Sequence, residues 1–299
     1  MSIVRLVNVK KSFTNYEGNL FLKKVYTNVL NGINLEIKRG ETFAIVGESG
    51  CGKTTLVNAI SKLINIDSGE IYFNNIAVHN LKNEDLRKFR KNIGMIFQDP
   101  KSSLNPHYKV KWILNEPFLA HNYKDIKENY NKIKELLYNF KLSEKYLDRY
   151  VNDLSGGEAQ RIAIISSLLL EPELIIADEA VSALDVSIQA EVLNYFNEMK
   201  KIYNPTILFI THDLAVSKYI SDRIGVMYFG NLVEIANSEE IYSNPIHPYT
   251  KLLLASSFSM NRNITEEELK EFEQFKIELI RENKVKPFIE VNNNHFVRI

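Results

Sequence analysis

Residues 47–55, GESGCGKTT, set glycines, a lysine and paired threonines in the spacing G-x-x-x-x-G-K-[ST]. They follow a short β-branched and aromatic run, 41–46 (ETFAIV). They precede 56–64 (LVNAISKLI), where Leu56, Ala59, Ile60, Leu63 and Ile64 recur at helical spacing. Strand, glycine-rich loop and helix form the context in which this pattern binds phosphate. Successive N–H groups from Gly47, Glu48, Ser49, Gly50, Cys51, Gly52, Lys53, Thr54 and Thr55 can converge on phosphate oxygens at the positive end of the helix. Lys53 would reach the β- and γ-phosphates, and the Thr54 hydroxyl would hold a magnesium ion. The competing reading is a glycine-containing turn with a chance lysine. The bare pattern arises by chance in roughly one chain of this length in a hundred, and the flanking strand and helix weigh against it.

Further polar groups stand at strand ends. The run 174–178 (LIIAD) closes on Asp178 and is followed by Glu179. The run 205–210 (PTILFI) leads to Thr211, His212 and Asp213, and 93–97 (IGMIF) to Gln98. In parallel α/β sheets, ligand chemistry gathers at the carboxyl ends of strands. Taken singly, His212 reads as a cap or a solvent-facing residue, and Asp178–Glu179 as an acidic helix start. Gln98 alone says little, and Phe13, in KKSF, reads as an ordinary apolar residue at a strand end. Their order at successive strand ends is what packing alone does not explain.

The elements that must position these groups follow from pattern. Residues 2–10 and 33–38 predict strands of an outer antiparallel layer, with 15–31 a hairpin or loop of strand character. A turn is expected at 67–70, a strand at 71–73, a charged helix at 84–91 and a loop at 100–106. Helices at 110–120, 126–139 and near Glu144 form an insertion between two halves of an α/β core. Residues 152–158 open a long helix running to Leu170 and stopped by Pro172. A helix at 187–203, strands at 223–228 and 232–236, and a helix at 238–243 follow. A charged helix spans 265–283, starting in a Thr265–Glu268 capping box.

The chain has 299 residues, with 37 Lys plus Arg against 37 Asp plus Glu, so zero net charge gives no support to nucleic acid or an anionic membrane surface as the main partner. Its single cysteine, Cys51, excludes an internal disulfide or a cysteine-ligated cluster and suits a reducing, cytoplasmic setting. The N-terminus lacks a signal-peptide core, and no apolar run reaches the ~18 residues that a span requires. A soluble protein is expected.

Together these motifs resemble the nucleotide-binding subunit of an ATP-binding-cassette (ABC) transporter. The most specific piece is Leu154-Ser-Gly-Gly-Glu158, similar to the family signature. The resemblance implies a phosphate-loop NTPase fold with a RecA-like parallel core, an N-terminal antiparallel β subdomain and a helical subdomain at about 99–165. It implies a nucleotide-binding domain over 1–250 and an importer-type extension over 251–299. It assigns adenine stacking to Phe13, γ-phosphate and magnesium sensing to Gln98, magnesium binding to Asp178 and Thr54, the general base to Glu179, and the γ-phosphate switch to His212. Asp185 would communicate across a dimer, where Ser155, Gly156 and Gly157 would cap the ATP held by the other cassette. ATP and Mg2+ are the implied cofactors.

Residues 97–106, 181–190 and 244–250, with the closing segment 288–297, resemble the oligopeptide/dipeptide/nickel importer branch, and within it the second of two paralogous ATPase subunits. The implied partners are two multi-span permease subunits, a sister ATPase subunit and an extracytoplasmic substrate-binding protein, with the chain peripheral at the cytoplasmic face. The expected function is ATP-driven oligopeptide import; a nickel or metallophore importer and a non-transport ABC ATPase acting on nucleic acid are the rivals. A generic phosphate-loop kinase would leave the signature unexplained. Departures from the family pattern are Glu158 for a commoner glutamine, Ala180 for a usual proline, Ala159 and Ser166–Ser167 after the signature, and no C-terminal cysteines.

Overall fold

Alternating apolar and polar residues carry the chain into two long strands, β1 (Ser2–Glu17) and β2 (Lys23–Lys38), paired antiparallel from Ser2↔Lys38 to Glu17↔Lys23. The computed structural model describes residues 1–17, 23–182, 184–256, 265–282, 287–292 and 294–298, so residues 18–22 of the expected hairpin lie outside the described residues. The strands are longer than the sequence predicts. Cross-strand partners such as Phe13↔Thr27 and Thr14↔Tyr26 extend the ladder through residues with little apolar alternation.

Contacts divide the chain into two units, Met1–Asn80 with Phe209–Ile299, and Leu81–Leu208. In the first, β3 (Thr42–Val46) is buried throughout and leads through the glycine loop into α1 (Lys53–Ile60). The helix expected to reach Ile64 stops at Ile60, because Lys62 adopts a positive φ of 56°. Next come β4 (Ser68–Phe73) and β5 (Ile76–Ala77), giving a sheet in the order β2-β1-β4-β5. The expected turn at 67–70 is mostly strand, since Ser68 and Glu70 pair with Lys10 and Val7.

The second unit begins with α2 (Asn83–Lys91), β6 (Ile93–Ile96) and a short α3 (Pro100–Ser103). That last helix replaces part of an expected loop. The Asp99 carboxylate caps the Lys101 N–H, and Pro100 occupies a first-turn position where no N–H is required. Then follow α4 (Val110–Ala120), α5 (Ile126–Asn139), α6 (Gly156–Leu168), β7 (Leu174–Asp178) and α7 (Val186–Tyr203). β6 and β7 are parallel, with Ile96 opposite Ala177. α6 buries Ala159, Gln160 and 162–165, so it is covered on most sides, as its lack of a polar stripe requires.

β8 (Thr206–Thr211) carries the chain back to the first unit. There α8 (Leu214–Ile220), β9 (Arg223–Tyr228), β10 (Asn231–Asn237), α9 (Ser238–Ser243), α10 (Pro248–Ser256), α11 (Glu266–Glu282), β11 (Ile289–Asn292) and β12 (His295–Val297) follow in turn. β3 lies parallel to β9, and β10, β12 and β11 extend that edge antiparallel. One apolar cluster joins Val46, Val226, Tyr228, Ile241, Tyr249 and Leu254, with Phe272 and Phe275 of α11 packed against it. The described parts of this stretch beyond residue 250 are thus held to β10 and to this core.

Candidate nucleotide site

The glycine loop is shaped by close backbone approaches. A Cβ on Gly47 would lie 2.2 Å from the Met227 carbonyl oxygen, and one on Gly52, whose φ is +109°, 2.7 Å from that of Val29. No other residue fits either position. On the far side, the Gly230 N–H donates to the Cys51 carbonyl at 2.9 Å. Lys53 is buried, and its ammonium donates to the Gly47 and Glu48 carbonyls at 2.7 and 2.9 Å. It is a fixed positive charge inside the curve of the loop. Glu48, Ser49, Gly50 and Thr54 are exposed, while Cys51 is buried and its thiol pKa is raised by that burial.

Phe13 belongs to the same unit. Its ring is 40% exposed, enough to offer a face, with the Lys11 ammonium 5.4 Å from the centroid. Asp67 fixes the strand beside it, accepting from Lys11 Nζ at 2.8 Å, Ser12 N at 2.6 Å and Ser12 Oγ at 2.7 Å. The Lys11 bond holds the Asp67 carboxyl below its ordinary range. Opposite Phe13 is Thr27, two residues before the Val29 carbonyl that touches Gly52, so the hairpin register ties the aromatic to the loop. His212, exposed, follows β8, whose Thr211 Oγ accepts the Asp213 N–H.

In the second unit, the β6–β7 register places Gln98 and the Asp178–Glu179 pair beyond the same ends of parallel strands. Asp178 is buried and Gln98 exposed. Glu179 has φ 49°, the left-handed region that a non-glycine residue occupies at a cost, and its carbonyl accepts from Ser182 N at 3.0 Å and Ser182 Oγ at 2.9 Å. The turn after β7 is therefore pinned. The signature forms the start of α6: Ser155 Oγ accepts the Glu158 N–H at 3.3 Å, and Glu158 accepts the Ser155 N–H at 2.7 Å. Glu158 also accepts from the Tyr146 hydroxyl at 2.6 Å, which lowers its pKa. The glutamate in place of glutamine thus completes a capping box. A Cβ on Gly157 would come 3.0 Å from Ile188 of α7, so the signature and the Asp185 turn are brought together.

Among the described residues no group of three or more His, Cys, Asp or Glu is placed to hold a metal alone. The oxygens of Thr54, Gln98 and Asp178 are hard donors of the kind that suits Mg2+ shared with phosphate and water. They fit that ion. Sequence reasoning gave no role to Tyr249, whose hydroxyl accepts the Glu48 N–H at 3.1 Å. Its motif, 244–250, carried only a resemblance.

The ABC transporter family model matches residues 30–182, across the loop, the signature and the β7 acids, and a model of the oligopeptide/dipeptide transporter C-terminal region matches 233–290. This chain belongs to the ABC transporter family. It is 48% identical over 257 residues (85% of this chain, 78% of the other) to the Bacillus subtilis oligopeptide transport ATP-binding protein AppF. It is 40% identical over 297 residues (99% and 95%) to OppF of the same organism. Among solved structures, the dimeric bacterial ABC transporter cassette MJ0796 matches at TM-score 0.69 and 29% identity, over 79% of this chain and 98% of that one. CbiO1 of Clostridium perfringens, part of an ABC transporter complex, matches at TM-score 0.69 and 29% identity over 84% and 95%. This ABC subunit has the RecA-like mixed α/β fold, and it binds and hydrolyses ATP.

Proposed function

We propose that this ABC ATPase energises import of oligopeptides, working at the cytoplasmic face of the cell membrane. It would act with two membrane-spanning permeases, a sister ATPase subunit and an extracytoplasmic binding protein. The relatives named for oligopeptide transport and the C-terminal match over 233–290 support this choice over a metal or metallophore importer. No helix among the described residues is long and apolar enough to cross a membrane, and in this proposal permeases supply the pathway. The chain's zero net charge offers nothing to the nucleic-acid reading.

The phosphate loop carries the reading, with its buried lysine and two glycines that only glycine can fill. In this proposal the loop N–H groups and Lys53 hold the phosphates, and Phe13 stacks on adenine. Thr54, Gln98 and Asp178 would hold Mg2+, which when bound would neutralise phosphate charge. Glu179 accepts the proton of the attacking water, and His212 contacts the γ-phosphate. Ser155, Gly156 and Gly157, at the positive end of α6, serve the nucleotide of the sister cassette, with Asp185 beside them. Positioning and charge neutralisation are most of what phosphoryl transfer needs.

The test is ATPase rate in the assembled transporter with Glu179→Gln. ATP binding should persist while turnover falls by roughly 10²–10⁴-fold, the usual worth of a general base. Normal turnover would remove Glu179 from the role, and activity unresponsive to permeases but raised by nucleic acid would overturn the importer reading.

A further inference from the structure

The peptide joining Gly47 to Glu48 is gripped at both ends. Its carbonyl accepts from the Lys53 ammonium at 2.7 Å, and its N–H donates to the Tyr249 hydroxyl at 3.1 Å. The first grip is transient in the proposed cycle, because a phosphate competes for the same ammonium. The second is not, since Tyr249 carries no charge that a phosphate would draw away.

Tyr249 is itself immobilised. It is fully buried, its ring 4.3 Å from that of Tyr228 and stacked 6.1 Å from Phe272 of α11. Its N–H donates to His247 Nδ1 at 3.1 Å. Burial lowers the His247 pKa to about 3, so the ring stays a neutral acceptor across physiological pH. The Ile246 and His247 N–H groups donate to the fully buried Glu234 carboxylate at 2.9 and 3.1 Å, and His295 of β12 bonds the same carboxylate at 2.7 Å. Groups on β10, α11 and β12 therefore brace the segment and the ring that carry this hydroxyl.

We propose that Tyr249 is a positioning residue that holds the phosphate loop in its binding geometry, a proposal that rests on the nucleotide role of that loop. The Glu48 N–H to Tyr249 bond is only part-buried, so in the proposal loop movement lets that N–H find water once the hydroxyl is removed. The fold then survives, while the loop loses preorganisation, and the deficit appears on binding.

The experiment measures MgADP affinity of the full chain by equilibrium dialysis, melting temperature without nucleotide, and kcat and KM for ATP in the assembled transporter. Tyr249→Phe keeps the ring and should weaken MgADP by about tenfold, the worth of one hydrogen bond, and raise KM equally with kcat and nucleotide-free melting unchanged. MgADP affinity equal to wild type overturns the proposal, and so does a loss of kcat without a change in KM. Lys53→Ala is the separate control: if it binds MgADP as tightly as wild type, the loop reading fails, whatever Tyr249→Phe shows.

Discussion

At the scale of single residues, the site is built from close approaches rather than from polar clusters. Gly47 faces the Met227 carbonyl so closely that a methyl group would stand 2.2 Å from it and 2.9 Å from the Cys51 sulfur. The obstacle is backbone of a central strand, which cannot swing aside. Gly47→Ala should therefore destabilise the chain by about 1–3 kcal/mol, the range for overpacking, and abolish measurable MgADP binding. Chemical denaturation and dialysis check the two effects. Gly50 gives the contrast: no atom lies within 4 Å of its Cβ position, so its φ of +81° alone penalises substitution there.

At the scale of elements, α6 shows how a sequence departure becomes a structural device. Glu158 receives the Tyr146 hydroxyl and the Ser155 N–H, and its pKa is lowered in that order of cause after allowing for burial. A carboxyl lowered in the folded state binds its proton more readily in the unfolded chain. Its stabilisation is thus fully present above the ordinary glutamate value of 4.5 and is lost as pH falls through the lower folded value. Denaturation midpoints of wild type and Glu158→Gln, followed from pH 7 downward, should differ at neutral pH and converge in acid. A constant difference would rule out the carboxylate as the cause. The same charge lies at the positive end of α6, where it is favourable.

At the scale of the molecule, the C-terminal segment is anchored within the first unit. β12 adds to β10, and His295 and Glu234 meet with 1% and no side-chain exposure respectively. Replacing His295 by Ala leaves a buried carboxylate oxygen short of one donor, which costs about 1–3 kcal/mol. Urea denaturation of the full chain should show that loss, and Tyr249→Phe combined with it should be non-additive in MgADP affinity if both act through the same grip.

Much of this was legible in the order of residues. The loop 47–55 needs only local backbone freedom and a following helix, so its pattern is complete within nine positions of sequence. The buried strands β7 and β8 announce themselves as apolar runs, and the Thr265–Glu268 box forms as expected, with bonds of 3.1 and 3.2 Å. Short-range signals sufficed there because the partners are near in the chain. The full length of the β1–β2 ladder and the strand in place of a turn at 68–70 were not legible, since cross-strand partners decide them, nor was the early end of α1 at the positive φ of Lys62. Tyr249 stands 201 residues from the Glu48 peptide it holds, and Met227 is also far in sequence from Gly47. Sequence alone named the groups proposed to do the chemistry. Only tertiary structure decided which groups hold them still, because a hydrogen bond or a close approach across that separation has no local period to betray it.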